Sequence, residues 1–212
     1  MRRSQHSVAP MTIDLLTALA AFAFVTVITP GPNNLMLMAS GANFGFRRSV
    51  PHMLGIGLGF PAMVFCVGIG VMQVFDLWPL SYTVLKTLSV AYLLYLAWKI
   101  ANAAPPARAA EGHEGRPLTF LQSAAFQWVN PKAWSMALSA ITLYASGRDL
   151  AAVLWVAGTY VLVSAISTTS WTVLGQQMRR LLKSPARLRA FNWIMAALLV
   201  ATLIPVLWPA QG

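Results

Sequence analysis

The sequence is short of two residue types: it has one cysteine, Cys66, and only five acidic residues among 212. With a single cysteine, neither an intrachain disulfide nor a Cys-x-x-Cys redox pair can form. The lack of a second cysteine therefore excludes one class of membrane enzyme, the transmembrane thiol–disulfide shuttle. Cys66 itself is expected to be a small packing residue.

Charged residues of either sign are also scarce. They make up 9% of the chain, against about 25% in soluble proteins. Hydrophobic residues make up 58%, and the mean hydropathy is +0.64. Several uncharged apolar runs reach the ~20 residues that a membrane-crossing helix needs. The chain is therefore predicted to be an all-α, polytopic membrane protein.

Six transmembrane helices are predicted. Their approximate ranges are 13–39, 52–75, 79–100, 118–145, 150–174 and 190–208. The net charge of +10 does not indicate a nucleic-acid partner, because the basic residues collect in short loops between these spans. The loops after the first, third and fifth spans carry most of them, so these loops are expected in the cytoplasm and both chain termini outside.

Residues 102–117 form a low-complexity stretch rich in alanine, proline and glycine. They are predicted to be a cytoplasmic linker between two halves, 11–101 and 118–212, with residues 1–10 as an N-terminal extension because Met11 could be the true start. The linker holds His113 near two glutamates, but a solvated loop is the preferred interpretation. No metal and no cofactor are expected.

The two halves match at an offset of 101 residues. The matched positions are Pro30 with Pro131, Arg47 with Arg148, Gly57 with Gly158, and Tyr92 with Trp193. Because each half has an odd number of spans, the second half must be inverted relative to the first. Two inverted three-helix repeats with broken first and fourth helices are therefore predicted. Breaks in matching places are typical of transporter binding sites.

The first break is Thr29-Pro30-Gly31-Pro32, followed by Asn33 and Asn34. Prolines deprive the helix of amide donors. Past the break, a second half-helix is expected to begin with Thr29 or Gly31 as its N-cap and a proline at its first position. Its free amides suit a carboxylate. The alternative is a plain proline kink without a ligand.

The second break contains Gln127, Asn130, Pro131 and Lys132. A lysine inside a span is costly and marks a functional site by default. Lys132, beside the two amide side chains, is predicted to hold a substrate carboxylate. The alternative is a structural lysine bound by carbonyls freed at Pro131.

Neither predicted break has an acid near it. This weakly disfavours a cationic substrate and favours a zwitterion. The candidates for proton coupling are Asp14 and Lys132; His52 is a third, expected at the membrane interface. Two small-residue motifs, Gly41-x-x-x-Gly45 and Gly55-x-x-x-Gly59, permit close helix packing. Packing within one chain is preferred, and a homodimer is left open.

The motifs together resemble the lysine-exporter/homoserine-threonine-resistance (LysE/RhtB) family of bacterial amino-acid exporters. The resemblance covers nearly the whole chain from Met11. It rests on the segments Ile28–Asn34, Gly45–Arg48, Gly55–Gly59, Ala91–Ile100 and Phe126–Lys132. The resemblance implies a six-span inner-membrane exporter of a small amino acid, driven by the proton gradient. Within the family, the chain looks closest to the branch that exports cysteine and O-acetylserine.

The sequence is thus interpreted as a secondary transporter that exports a small amino acid or derivative from the cytoplasm. One wall of its site is expected to be Pro30–Asn34, and the other Gln127 with Asn130–Lys132. A membrane assembly factor of the same fold, without transport activity, remains the alternative.

Overall fold

The computed structural model describes residues 12–71, 77–78, 80–103, 115–145 and 149–207, without the side chain of Tyr82. These residues form helices joined by short connections. The helices are α1 (Ile13–Ile28), α2 (Pro32–Phe44), α3 (Phe46–Gly68), α4 (Leu80–Ala101), α5 (Phe120–Phe126), α6 (Pro131–Tyr144), α7 (Leu150–Leu181), α8 (Pro185–Ala201) and α9 (Ile204–Leu207). A 3₁₀ turn, Gln127–Val129, joins α5 to the residue before α6. The described part of the chain is all helical, as predicted.

Four stretches are long and apolar enough to cross a membrane. They are Phe46–Gly68, Thr83–Ala101, Leu150–Leu181 and Pro185–Leu207. The pair formed by α1 and α2, bent by 57°, would be a fifth if it is one span. The predicted fourth span, 118–145, is divided between α5 and α6, each too short to count alone. The chain is a multi-pass helical protein with four to five candidate spans among the described residues.

Two helices extend beyond the predicted spans. The predicted second span begins at 52, but α3 begins at Phe46 and continues through Pro51. Gly45, with φ of 79°, is alone the connection between α2 and α3, and glycine adopts this backbone conformation without strain. Helix α7 likewise extends to Leu181, so Arg179 and Arg180 lie in its last turn rather than in a loop.

Both predicted breaks are present. After α1, Gly31 is fully extended, with φ of −174° and ψ of −179°, and Pro32 starts α2 as its first residue. In the second half, Asn130 is extended and Pro131 starts α6. By position in the helix, Pro131 therefore corresponds to Pro32, 99 residues earlier, and not to Pro30 as the 101-residue offset predicted.

Glycines allow the helices to approach closely. A Cβ on Gly59 would lie 2.6 Å from Cα of Ala124 in α5, and one on Gly55 would collide with the carbonyl of Phe120. A Cβ on Gly41 would collide with the carbonyl of Thr172 in α7. The packing of these motifs inside one chain is confirmed for these three glycines, and it gives no argument for a dimer face.

Several expectations fall outside the described residues. These are the extension 1–10, the metal alternative at His113, most of the linker 102–117, the match at Arg148, and the C-terminal end at Gly212.

Candidate functional site

The carbonyls that the first break frees are bound by side chains. Where α1 ends, Nδ2 of Asn34 donates to the carbonyls of Val27 at 2.7 Å and Thr29 at 2.8 Å. The indole of Trp171 donates to the carbonyl of Ile28 at 3.1 Å. In lipid such groups must find partners within the protein. Asn34, which follows the break directly, thus serves to hold the end of α1.

Lys132 is the side chain that joins the two breaks. It lies in the first turn of α6, and its Nζ donates to the carbonyl and the hydroxyl of Thr29, each at 2.8 Å, and more weakly to the carbonyl of Pro30 at 3.4 Å. Thr29 and Pro30 are exposed and Lys132 is half-buried. The ammonium therefore lies near the surface of the described part of the protein, between the two breaks.

Gly31 makes room for the lysine. A Cβ on Gly31 would lie 2.6 Å from Cδ and 3.0 Å from Nζ of Lys132. The amides that follow Gly31 receive no capping side chain, so the start of α2 keeps its hydrogen-bond donors available. An ammonium group and the positive end of a helix lie together here, which is an arrangement that attracts a carboxylate.

An amide pair connects the same two segments. Nδ2 of Asn33 donates to Oε1 of Gln127 at 2.8 Å, and Nε2 of Gln127 donates back to Oδ1 of Asn33 at 3.1 Å. Gln127 is fully buried. Asn130 caps α6, since its Oδ1 accepts from the amide of Lys132 at 3.1 Å. The structure brings the two predicted walls into direct contact through these side chains.

Helix α7 contributes a third wall that the sequence analysis did not include. Ser167 donates to the carbonyl of Val27 at 3.1 Å and contacts Oδ1 of Asn34 at 3.4 Å. Ser164 is buried and its hydroxyl has no partner among the described residues. A cavity of about 20 Å³ lies between these hydroxyls, Asn33, Asn34 and Lys132. That volume is close to the space of a single water, so the site is closed in this conformation.

Of the two predicted N-caps, Gly31 is the N-cap of α2, while Thr29 is the C-cap of α1. Lys132 is bound by carbonyls, as the structural alternative supposed, but they belong to Thr29 and Pro30 at the other break rather than to the second one. Asp14 is exposed in the first turn of α1, 15 residues before Thr29, or about 22 Å by helical rise. It takes no part in the site.

His52 lies in the second turn of α3, which begins at Phe46, and its imidazole is buried. Its expected position at the membrane interface stays a prediction. It lines a separate cavity. Among the described residues, no group of three His, Cys, Asp or Glu side chains could hold a metal ion.

Comparison with known proteins identifies the family of the chain. The family model "LysE type translocator" matches residues 24–203, which include both breaks and α7. The chain belongs to the LysE-type translocator family. It is 34% identical to the cysteine/O-acetylserine efflux proteins of Escherichia coli strain K12 and Shigella sonnei strain Ss046, over 90% of this chain and 96% of each relative. No solved structure shows significant similarity to the chain.

Proposed function

We propose that this LysE-type translocator is a secondary transporter that exports a small zwitterionic amino acid or derivative from the cytoplasm. The names of its relatives supply the substrate class, cysteine and O-acetylserine, for the first tests. One observation carries the proposal: Lys132, on one broken segment, binds the carbonyls exposed by the break in the other.

In this proposal the carboxylate of the substrate replaces those carbonyls on Nζ of Lys132. A full negative charge binds an ammonium more strongly than a neutral carbonyl does. The start of α2 lies beside the same Nζ and adds its free amides. The exchange loosens the link between Lys132 and Thr29, so substrate binding and the bend at the first break are coupled. The ammonium group of the substrate is expected to donate to the hydroxyls of Ser164 and Thr168.

The packing of the helices supports two inverted three-helix repeats, 11–101 and 118–212. Helix α3 packs on its counterpart α7, and α4 packs on its counterpart α8. Helix α2 of the first half packs on α7, and in the same way α5 and α6 of the second half pack on α3. A two-fold relation between the halves requires this pattern of partners. We therefore propose six crossings of the bacterial inner membrane, with the segment from α5 to α6 as the fourth, the linker in the cytoplasm and both termini outside.

Proton coupling is assigned to Lys132, since Asp14 lies far from the breaks. Release of a proton would remove the charge that holds the carboxylate, so one group can serve both substrate and proton. Lys132→Met is expected to remain folded in the membrane and to lose export. Lys132→Arg is expected to be impaired, because the planar guanidinium is larger than the ammonium it would replace.

The test is export from cells that overproduce the protein, with growth rescue measured over a panel of amino acids and derivatives that includes O-acetylserine. Full export by Lys132→Met would reduce the lysine to a structural role. The alternative, an assembly factor without transport activity, predicts that neither overproduction nor deletion changes growth under any amino-acid load.

A further inference from the structure

A second cavity lies at the far end of α2, away from the breaks. Its volume is about 270 Å³, and it is enclosed by α2, the start of α3, the end of α4 and residues 115–118. It is large enough for a molecule of roughly ten non-hydrogen atoms, whereas the closed space at the breaks is not.

The cavity combines apolar walls with a few polar groups. Met36, Leu96 and Leu118 provide apolar surface, while Lys99 and Arg116 provide two positive charges. In the part of the chain that the structure describes, no carboxylate pairs with either cation; Asp14 and Asp149 lie at the starts of α1 and α7, and Glu111 and Glu114 lie outside the described residues. Two cations beside a small apolar space are suited to a molecule with one carboxylate.

His52 provides an independent observation that points to a ligand. The imidazole lines the cavity and is only 2% exposed, yet within the described residues neither ring nitrogen has a hydrogen-bond partner. Buried polar groups without partners are costly and rare in native structures. A neutral imidazole has one donor and one acceptor, so it can accept a hydrogen bond from an ammonium group. Asn43, nearby, is not available, because Asn192 already pairs with it at 2.7 and 3.0 Å.

Helix α2 connects this cavity to the breaks. Met36, Ala39, Ser40 and Asn43 line the cavity and recur at the spacing of one helical face. Asn43 lies ten residues after Asn33, or about 15 Å along the helix. Asn33 of the amide pair lies on the same face, three residues before Met36, so this face of α2 extends from the cavity to the breaks.

We propose that this cavity is a second binding site for a small amino-acid zwitterion, with the carboxylate on Lys99 and Arg116 and the ammonium on His52. The proposal rests on the proposed function, since it makes the cavity the place where a substrate waits at the cytoplasmic end before it reaches the breaks. It differs from that function in its residues, none of which belongs to the site at Lys132.

Cysteine labelling tests the second site directly. The background is the full chain with Cys66→Ser, in lipid nanodiscs of neutral phosphatidylcholine. Ala103→Cys places a thiol in the half-buried cavity lining, and Ala151→Cys on the exposed start of α7 is the control. The rate of maleimide labelling is measured with and without O-acetylserine, a probe that has no thiol of its own, and then with other amino acids. Ser40→Cys is a second position in case Ala103→Cys does not fold.

The expected result is protection at the cavity only. At a ligand concentration ten times Kd, labelling of Ala103→Cys should slow about tenfold, while Ala151→Cys is unchanged. The methyl ester of the same probe, which lacks the carboxylate, should not protect. Protection should be lost in Lys99→Gln with Arg116→Gln and weakened in His52→Phe, but retained in Lys132→Met.

Three results would overturn the proposal. The first is no protection by any amino acid of the panel. The second is protection that disappears in Lys132→Met, because the label would then report the site at the breaks. The third is protection by anionic lipid in the nanodisc with no effect of amino acids, because the cations would then bind a headgroup. Labelling does not require transport. Protection without export would therefore contradict the proposed function but still support the second binding site.

Discussion

The side chain of Lys132 fills the space beside Gly31 that a Cβ at that position would need. The aliphatic stem of Lys132 crosses Gly31 so closely that a Cβ there would lie 2.6 Å from Cδ. Nζ lies just beyond, on the oxygens of Thr29. The absence of a side chain on Gly31 is therefore what allows a charge on one broken segment to reach the break in the other.

Gly31→Ala is expected to displace Lys132 while the rest of the fold is kept. Gly31 is extended, so alanine can adopt its backbone angles and only the contact with the lysine is lost. We expect export to fall about tenfold or more, the equivalent of ~1.4 kcal/mol. Gly57→Ala is the matched control, because a Cβ there meets nothing within 4 Å. Equal export by both variants in a cell-based efflux assay would contradict the proposed role of Gly31.

Replacement of Pro30, Gly31 and Pro32 by three alanines is expected to heal the first break. Alanine has the highest helix propensity, so α1 and α2 should join into one continuous helix. The amides at the start of α2 would then bond within the helix and could not meet a carboxylate. We expect a well-expressed protein with little or no export. Transport at the normal rate would show that the break is an ordinary kink.

The amide pair between Asn33 and Gln127 is expected to couple the two segments in stability. Gln127→Leu leaves the Asn33 amide without its partner, at a cost of about 1–3 kcal/mol. The double variant with Asn33→Leu should cost less than the sum of the single ones, and coupling within membranes is typically ~0.6 kcal/mol. Reversible unfolding in mixed micelles measures the cycle. Additive effects would mean that the pair does not join the segments.

Topology follows from the distribution of basic residues. Arg179 and Arg180 end α7, Arg187 and Arg189 lie in the first turns of α8, and Lys99 ends α4. These helix ends are expected in the cytoplasm, which places Gly212 outside. A reporter that is active only outside the cytoplasm, fused at Gly212, should therefore be active. Activity of a cytoplasm-only reporter at the same position would reverse the orientation.

The breaks could be predicted from the sequence because proline acts locally. Pro32 and Pro131 remove donors wherever the chain folds, so each begins a helix in the structure as expected. The partners of the freed groups could not be predicted in this way. Which carbonyl Lys132 binds depends on how two segments 103 residues apart are packed. The sequence shows which residue types lie at each break, but it does not show how the two breaks are packed against each other.

The third wall and the burial of His52 were not predicted, for different reasons. Ser167 lies in a long apolar helix, where the hydroxyl of a serine often bonds to the backbone of its own helix. Its sequence position alone therefore does not indicate a binding site. Its face could have been identified, since Tyr160, Ser164, Ser167 and Thr168 recur at helical spacing. The burial of His52 was not predicted because the second span was expected to begin at 52, whereas α3 begins at Phe46 and contains Pro51.

Gly175 is expected to be essential for packing, because it lets α7 lie directly on α2. A Cβ on Gly175 would collide with the carbonyl of Met38, and backbone cannot move aside as a flexible side chain can. The two helices would have to separate where Asn34, Ser167 and Trp171 hold the end of α1. Gly175→Ala should therefore cost about 1–3 kcal/mol through overpacking and lower the yield of folded protein.

Gly158→Ala is the matched control on the same helix: its Cβ would meet nothing within 4 Å, and removal of a helical glycine gains up to ~1 kcal/mol. Thermal unfolding of the two purified variants in one detergent measures the difference. If Gly175→Ala were as stable as Gly158→Ala, α2 and α7 could not be packed as closely as described, and the third wall at Ser167 would lose its support.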